Sequence, residues 1–232
     1  MLFLGRIDFN DPAFWAVLIG WVMAVTLHEL AHGVVAFWGG DYTIRERGGL
    51  TLNPLQYVDP FNSILIPVIF LAIGGIALPG GATFVRRDLL RSRGWDTAVS
   101  AAGPAMNLIL FGLLAIPLLP AAGWIDINDP LNWTTAQRFV AASCFLQLFS
   151  VILNLIPIPP LDGFGMIAPY LQPELRDKLS TPPVSTALFF GYFMLILLTP
   201  FIYVVFAIMH AIMGERLFDI SSYGWRSVLR GG

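Results

Sequence analysis

The sequence predicts an all-α polytopic membrane protein, with about four to five membrane helices, a re-entrant or irregular segment and a small β-hairpin. Of the 232 residues, 56% are hydrophobic and only 12% are charged, whereas an ordinary soluble domain has about 25% charged residues. Several apolar stretches also reach the roughly 20 residues that cross a bilayer as a helix. We therefore expect residues 1–232 to form a single membrane-embedded domain, with the lipid bilayer as its surroundings.

The charge and the cysteine content exclude several classes of function. A formal net charge of −2 at pH 7 argues against nucleic acid as a partner, because proteins that bind it carry a basic surface. Cys144 is the only cysteine, so neither an internal disulfide nor a cysteine zinc site can form. We interpret Cys144 as a small buried apolar residue.

The first membrane helix has start and stop signals in the sequence. Asp11 is a typical N-cap residue, and Pro12 suits the first helical position. The helix should run to Trp38 and stop at Gly39 and Gly40, which gives a length of about 40 Å at 1.5 Å per residue. That length is enough to cross a membrane with some tilt.

The region after the first helix is predicted to be irregular. Residues 43–52, divided by Gly48 and Gly49, predict a β-hairpin. Residues 61–78 are apolar but interrupted by proline and glycine, which favours a re-entrant or in-plane segment over a full crossing. Residues 82–85 could form a short strand, and either this strand or the hairpin could offer its edge to an extended peptide.

Three further membrane helices are predicted over residues 98–119, 136–155 and 185–213, the last kinked at Pro200. Polar side chains recur at i, i+4, i+7 and i+11 in the second of these helices and therefore share one face. They are Ser143, Gln147, Ser150 and Asn154. Two interpretations of this face stay open: hydrogen bonding to a neighbouring helix, or a polar face toward a hydrated site.

The first helix contains the motif His28-Glu29-Leu30-Ala31-His32. Residues four apart lie on one helix face, so His28 and His32 can hold one zinc ion through two nitrogens. Glu29 lies about 100° round the helix, beside the metal, where it can take a proton from water that the metal activates. Because ionisable groups inside a bilayer cost roughly 2.5–3.5 kcal/mol each, a catalytic zinc site is favoured over a polar cluster with only a packing role.

A catalytic zinc usually has three protein ligands and an open position, so a third ligand must come from outside the first helix. The candidates in apolar surroundings are Asp162 and His210. Asp162 is favoured because it follows a rigid segment with three prolines and because Gly163 leaves space beside it. For His210, a neutral histidine hydrogen-bonded inside the helix bundle is the favoured interpretation.

Four motifs together resemble the site-2 protease family of intramembrane zinc metallopeptidases, over most of the chain. They are HELAH at 28–32, LTLNPL at 50–55 with the DP pair at 59–60, AGPAMN at 102–107 and NLIPIPPLDG at 154–163. The resemblance implies a compact metallopeptidase domain of the type without a PDZ or CBS domain. It also implies one zinc ion held by His28, His32 and Asp162, with Glu29 as general base and Asn154 holding the substrate strand or the developing oxyanion.

The function that the resemblance implies is hydrolysis of peptide bonds in or near the transmembrane helices of membrane-protein substrates, as in regulated intramembrane proteolysis. The rival hypothesis is a non-proteolytic zinc-binding membrane protein, either a transporter or a membrane chaperone. Glu29 discriminates between the two, because a site that only passes zinc along needs no base beside the metal.

The expected topology follows from the depth of the zinc ligands and from charge. We call the membrane side at which the first helix begins side A, and the side at which it ends side B. If residues 61–78 dip in and return to side B, Asp162 arrives near side B at about the depth of the histidines. Most of the arginines then lie in side B loops, so the positive-inside rule makes side B cytoplasmic. We expect a multi-pass protein of the plasma (inner) membrane, with its active site nearer the cytoplasmic face.

Overall fold

The computed structural model describes residues 8–57, 83–198 and 200–230, and within these ranges the regular structure is helical. Seven α-helices are found there, together with short 3-10 turns and no strand. The helices are α1 (Pro12–Gly39), α2 (Arg93–Ala115), α3 (Thr135–Asn154), α4 (Asp162–Ile167), α5 (Pro173–Ser180), α6 (Val184–Leu198) and α7 (Phe201–Arg230). The predicted re-entrant segment, residues 61–78, lies outside the described residues.

Four of the described helices are long and apolar enough to cross a membrane. They are α1, α2 with the turn that follows it, α3 and α7, the last counted by its whole length although it is interrupted at Gly214. A fifth span is available if α5 and α6, which meet at an angle of 65°, are counted together. The prediction of an all-α membrane protein with this number of membrane helices is confirmed.

Helix α1 begins and ends at the predicted signals. The side chain of Asp11 accepts a hydrogen bond of 2.9 Å from the backbone nitrogen of Ala13, and Pro12 is the first helical residue. At the other end Gly40 has a φ of +122°, which residues with a side chain rarely adopt. Its N–H donates to the carbonyl of Phe37. These caps fix the length of the helix that carries the HExxH motif.

Helices α1 and α2 are antiparallel neighbours. The N–H of Arg91, just before α2, donates to the carbonyl of Gly39 at 2.9 Å, and Gly39 packs against Trp95 in the first turn of α2. Helix α2 starts before the predicted residue 98 because the Ser92 side chain caps it, by accepting from the N–H of Trp95. The chain therefore leaves α1 and enters α2 on side B.

Helix α3 runs parallel to α1 and has a larger buried share than the other three long helices. Thr134 and Gln137 form a capping box at its start. Arg138, in the first turn, forms a largely buried ion pair with Asp11 at the start of α1. Residues 141–151 are all buried, so α3 is the centre of the hydrophobic core, and it starts on side A.

The predicted β-hairpin at residues 43–52 is wrong, because this segment folds into successive turns. The N–H of Arg47 donates to the carbonyl of Thr43, and that of Gly49 donates to the carbonyl of Ile44. Gly49 lies so close to Ile44 and to Gly33 of α1 that a side chain at either glycine would overlap its neighbour. The turns pack directly on α1, and their backbone groups bond to near neighbours instead of a second strand.

The C-terminal region departs from the predicted single segment at residues 185–213. Helices α6 and α7 meet at the predicted kink, Pro200, but α7 continues to residue 230. Gly214 interrupts α7 with a φ of +72°, and the ring centroids of Phe206 and Phe218 lie 6.5 Å apart across this break. In a straight helix the two residues would lie about 18 Å apart, so α7 folds back at Gly214.

Candidate metal centre

Three potential metal ligands converge where α1 meets the start of α4. The Nε2 atoms of His28 and His32 are 3.1 Å apart. Asp162 places one carboxylate oxygen 3.1 Å from Nε2 of His28 and the other 3.3 Å from Nε2 of His32. Around a tetrahedral zinc with bonds of about 2.0–2.1 Å, neighbouring ligand atoms are roughly 3.3 Å apart. The spacing of the three groups therefore fits one zinc ion.

The orientation of His32 also suits a metal ligand. Its Nδ1 lies 2.6 Å from the carbonyl oxygen of Val99 in α2. A carbonyl can only accept a hydrogen bond, so Nδ1 carries the proton and the lone pair is on Nε2, which points toward His28 and Asp162. The backbone of α2 thus selects the tautomer that a metal requires.

The chain after α3 delivers Asp162 by turning back on itself. Helix α3 ends at Asn154, and the prolines that follow prevent its continuation. Gly163 then packs directly on the carbonyl of Leu155, where a Cβ would overlap the backbone. The tight approach that a glycine permits places Asp162 in the first turn of α4, largely shielded from solvent.

Gly103 of α2 is a part of the site that the sequence did not reveal. A Cβ at this position would overlap the Nε2 atoms of both His28 and His32. In the sequence Gly103 is marked only as a member of the AGPAMN motif at 102–107. In the structure it brings the backbone of α2 against the metal-binding edge of the two imidazoles.

Glu29 is buried beside the three potential ligands but is not one of them. Its neighbours include Tyr57, whose pKa is raised by burial and further by the charge of Glu29. Tyr57 therefore stays neutral, and its hydroxyl donates to the carbonyl of Thr51 at 2.7 Å. The turns at residues 42–57 thus reach over the side of α1 that carries Glu29.

Residues 83–86 lie along the same side of α1, as a segment without helix or strand. The hydroxyl of Thr83 donates to the carbonyl of Glu29 at 3.1 Å, and the guanidinium of Arg47 donates to the carbonyl of Phe84. The predicted strand at residues 82–85 is not formed at residues 83–85, which are neither helix nor strand.

The two remaining candidate residues are Asn154 and His210. Asn154 is half-buried and donates to Ser150 at 3.3 Å, and Ser150 also accepts from Asn107 of α2 at 2.9 Å. At Ser150, then, the polar face of α3 makes a hydrogen bond between helices. His210 is exposed, packs against the ring of Phe218 and is outside the group of metal ligands.

The chain is similar to several curated proteins. It is 41% identical over 167 residues to "Putative zinc metalloprotease Rip2" of Mycolicibacterium smegmatis, a match that covers 72% of this chain and 61% of that protein. It is 38% identical over 177 residues to the protein of the same name from Mycobacterium tuberculosis, covering 76% and 65%. It is 34% identical over 166 residues to "Putative zinc metalloprotease YwhC" of Bacillus subtilis, covering 71% and 73%.

The matched region thus spans a little under two thirds of the length of the two Rip2 proteins and nearly three quarters of YwhC. No protein-family model matches the chain, and no solved structure matches it. All three relatives are named as zinc metalloproteases, which agrees with the two histidines and one carboxylate that converge in this structure.

Proposed function

Because the chain belongs to the site-2 protease family of zinc metalloproteases, we propose that it hydrolyses peptide bonds in or near the transmembrane helices of membrane-protein substrates. The observation that carries this proposal is the convergence of His28, His32 and Asp162 in apolar surroundings, with Glu29 buried beside them. Ionisable groups at such a depth are costly and usually functional.

The metal ligands in this proposal are His28, His32 and Asp162. Two imidazoles and one carboxylate are a typical set for a catalytic zinc, which keeps a fourth position open. A zinc ion held there would polarise the scissile carbonyl and make water acidic enough to lose a proton near neutral pH. Gly103 and the Val99 carbonyl support this set, because they fix where the imidazoles lie and which nitrogen carries the proton.

The role of Glu29 is that of general base and then general acid. Its carboxylate takes a proton from the attacking water, whose oxygen forms the new bond to the scissile carbon. As the C–N bond breaks, Glu29 returns the proton to the leaving nitrogen. A buried carboxylate that is not a ligand has no function in a site that only transports zinc, so its position favours the peptidase.

The substrate helix must unwind locally, because a helix hides its carbonyls in its own hydrogen bonds. Residues 83–85 could offer partners to the unwound strand. They belong to no helix or strand, they are attached to Glu29 through Thr83, and the side chain of Phe84 is 76% exposed. Asn154 would provide a further amide to the substrate strand or to the developing oxyanion.

The site would lie nearer the cytoplasmic face of the plasma membrane. Arginines are concentrated in the described segments on side B, where α1 ends and α2 begins. They are Arg45, Arg47, Arg86, Arg87, Arg91 and Arg93. The described loop on side A, between α2 and α3, carries Asp126 and Asp129 and no lysine or arginine, so the positive-inside rule supports a cytoplasmic side B.

The test separates zinc binding from catalysis in the full chain, with single-span membrane proteins as candidate substrates. Glu29→Gln should retain about one zinc per chain and lose cleavage by at least about 100-fold, because it removes a base and no ligand. Asp162→Ala should lose both zinc and cleavage. His210→Ala, which removes a histidine outside the ligand group, is the matched control and should behave like the wild type.

Three results would contradict this proposal. If Glu29→Gln cleaves at the wild-type rate, Glu29 is not the general base. If Asp162→Ala retains its zinc fully and His210→Ala loses it, the third ligand is His210 and not Asp162. A wild-type chain that binds zinc but cleaves none of the candidates would favour the non-proteolytic alternative.

A further inference from the structure

Two side-chain amides meet at one hydroxyl between α2 and α3. The amide nitrogen of Asn107 donates to the hydroxyl oxygen of Ser150 at 2.9 Å, and that of Asn154 donates to the same oxygen at 3.3 Å. A serine oxygen has two lone pairs, and these two hydrogen bonds use both of them. Ser150 is thus the acceptor that joins a residue of α2 to the last residue of α3.

This junction is closed to solvent at its centre and open at one end. Asn107 is 4% exposed and Ser150 is 8% exposed, whereas Asn154 is half-buried. The carbonyl oxygen of the Asn154 amide has no hydrogen-bond partner among the described residues. One amide N–H of Asn154 is therefore bonded to Ser150, and the remaining polar atoms of the Asn154 side chain are available to a ligand.

The other end of the junction leads toward the metal centre. Asn107 lies one helical turn after Gly103, the residue that packs on the Nε2 atoms of His28 and His32. The same helix therefore contacts the metal ligands and the hydroxyl that holds Asn154.

We propose that Ser150, itself held by Asn107, is a positioning residue that orients the Asn154 amide toward the substrate. The inference rests on the proposed function and deepens it, because it says how a residue at the end of a helix is given a fixed direction. A helix terminus frays readily, and a side-chain amide can rotate about its terminal torsion. An acceptor that is shared with a neighbouring helix restricts both motions.

The experiment is a double-mutant cycle in the full chain, with a single-span substrate that the wild type cleaves and Glu29→Gln does not. Ser150→Ala and Ser150→Cys remove the good acceptor, since a thiol accepts only weakly; the cysteine variant also nearly preserves the volume. Each should lower kcat/KM about tenfold with zinc content unchanged. Ser143→Ala is the matched control, because it removes a buried hydroxyl on the same face that Asn154 does not contact, and it should leave the rate unchanged.

The cycle decides between positioning and a structural role. If Ser150 acts through Asn154, then Ser150→Ala should cost nothing further in an Asn154→Ala background, so the double variant cleaves at the rate of Asn154→Ala alone. If the double variant loses the product of the two single fold-changes, the two residues act independently and the proposal is overturned. A wild-type rate in both Ser150 variants, or loss of zinc from them, would overturn it as well. If no single-span substrate is found that the wild type cleaves, the proposed function is contradicted, and the positioning role with it.

Discussion

At the scale of single residues, the site depends on one glycine as much as on its ligands. Gly103 stands where a Cβ would overlap the Nε2 atoms of both His28 and His32. These atoms belong to rings that are buried and packed edge to face, so they have little freedom to move aside. A side chain at residue 103 would therefore displace the two imidazoles from these positions or move α2 away from them.

We predict that Gly103→Ala weakens zinc binding about 10–100-fold, the range seen when groups supporting metal ligands are changed. The added methyl would displace either the imidazoles or α2. Gly112→Ala, in the same helix, is the matched control, because its Cβ would meet nothing within 4 Å. Zinc content after dialysis against a chelator is the measurement, and equal retention by the two variants would contradict this role of Gly103.

The residues that the sequence could predict at this scale are those with a local signature. His28, Glu29 and His32 are recognisable because i, i+4 spacing is a property of one helix, and Asp162 because prolines break the chain just before it. The partners of these residues could not be predicted in the same way. Val99 contacts His32 from 67 positions along the chain through a backbone carbonyl, which every residue type has.

At the scale of elements, one buried aspartate fastens the segments on either side of the site. Asp41, directly after α1, accepts from the hydroxyl of Thr43 at 2.6 Å, from the guanidinium of Arg47 at 2.8 Å and from the backbone N–H of Arg86 at 2.8 Å. Arg47 donates in addition to the carbonyl of Phe84. The turns after α1 and the segment at residues 83–86 are thus held together at one carboxylate.

We predict that Asp41→Asn destabilises this region by about 1–3 kcal/mol, because it leaves buried donors without a charged acceptor. Limited proteolysis at residues 42–57 and 83–91 should become faster, while zinc content stays at the wild-type level because no ligand is touched. Asp88→Asn is the control, since the ion pair of Asp88 with Arg86 is exposed and such pairs contribute little. Equal proteolysis rates in the two variants would contradict this role of Asp41.

The pH dependence of this contact has a definite sign. Burial alone would raise the pKa of Asp41, but the hydrogen bonds from Thr43, the backbone of Arg86 and Arg47 lower it below its ordinary value. Its contribution to stability is therefore complete above the unfolded pKa of about 3.9 and is lost only as the pH falls through the lower folded pKa. Protection of the two segments should be constant between about pH 5 and 8.

The wrong hairpin shows where prediction of elements from sequence fails. Polar residues around a glycine pair are typical of a hairpin, but the same pattern is also compatible with turns packed on a helix. The contact of Gly49 with Gly33 of α1 decides the outcome, and that contact is tertiary. Long apolar helices were predictable, because a bilayer demands continuous helical hydrogen bonding whatever the neighbours are.

At the scale of the whole molecule, the order of helices across the membrane explains how the ligands meet. Helix α1 ends where α2 begins, and α3 begins beside the start of α1, through Arg138 and Asp11. Helices α1 and α3 therefore run in the same direction, α2 runs against them, and both α3 and the histidine-bearing half of α1 end near side B. Asp162, soon after α3, reaches the histidines for this reason.

The fold-back of α7 was not predictable from apolar length. The apolar stretch ends near Met213, and the charged residues Glu215, Arg216 and Asp219 follow, which is why the sequence placed the end of the helix there. The structure continues the helix with one buried and one exposed face: Ile220 and Trp225 are buried, and the charged side chains are exposed. An amphipathic continuation of this kind suits a helix lying at the membrane surface.

The direction of that continuation can be tested together with the topology. Ser227 of α7 bonds to Arg138, which in turn pairs with Asp11 at the start of α1. The C-terminal part of α7 therefore lies on side A, with the loop that contains Asp126. Residues 45 and 93, by contrast, flank the end of α1 and the start of α2 on side B. Residue 178 follows α4, and α4 contacts the first turns of α2 through Thr97, so we place residue 178 on side B as well.

We predict that single cysteines placed at Arg45, Arg93 and Lys178, in a Cys144→Ala background, react with a membrane-impermeant thiol reagent from one face, the cytoplasmic one. Cysteines at Asp126 and Arg226 should react only from the opposite face. All five parent residues are exposed, so accessibility depends on the side of the membrane and not on packing. Labelling of positions 45 and 93 from opposite faces would contradict the shared side of α1 and α2. Labelling of position 226 together with position 45 would contradict the fold-back of α7 to side A.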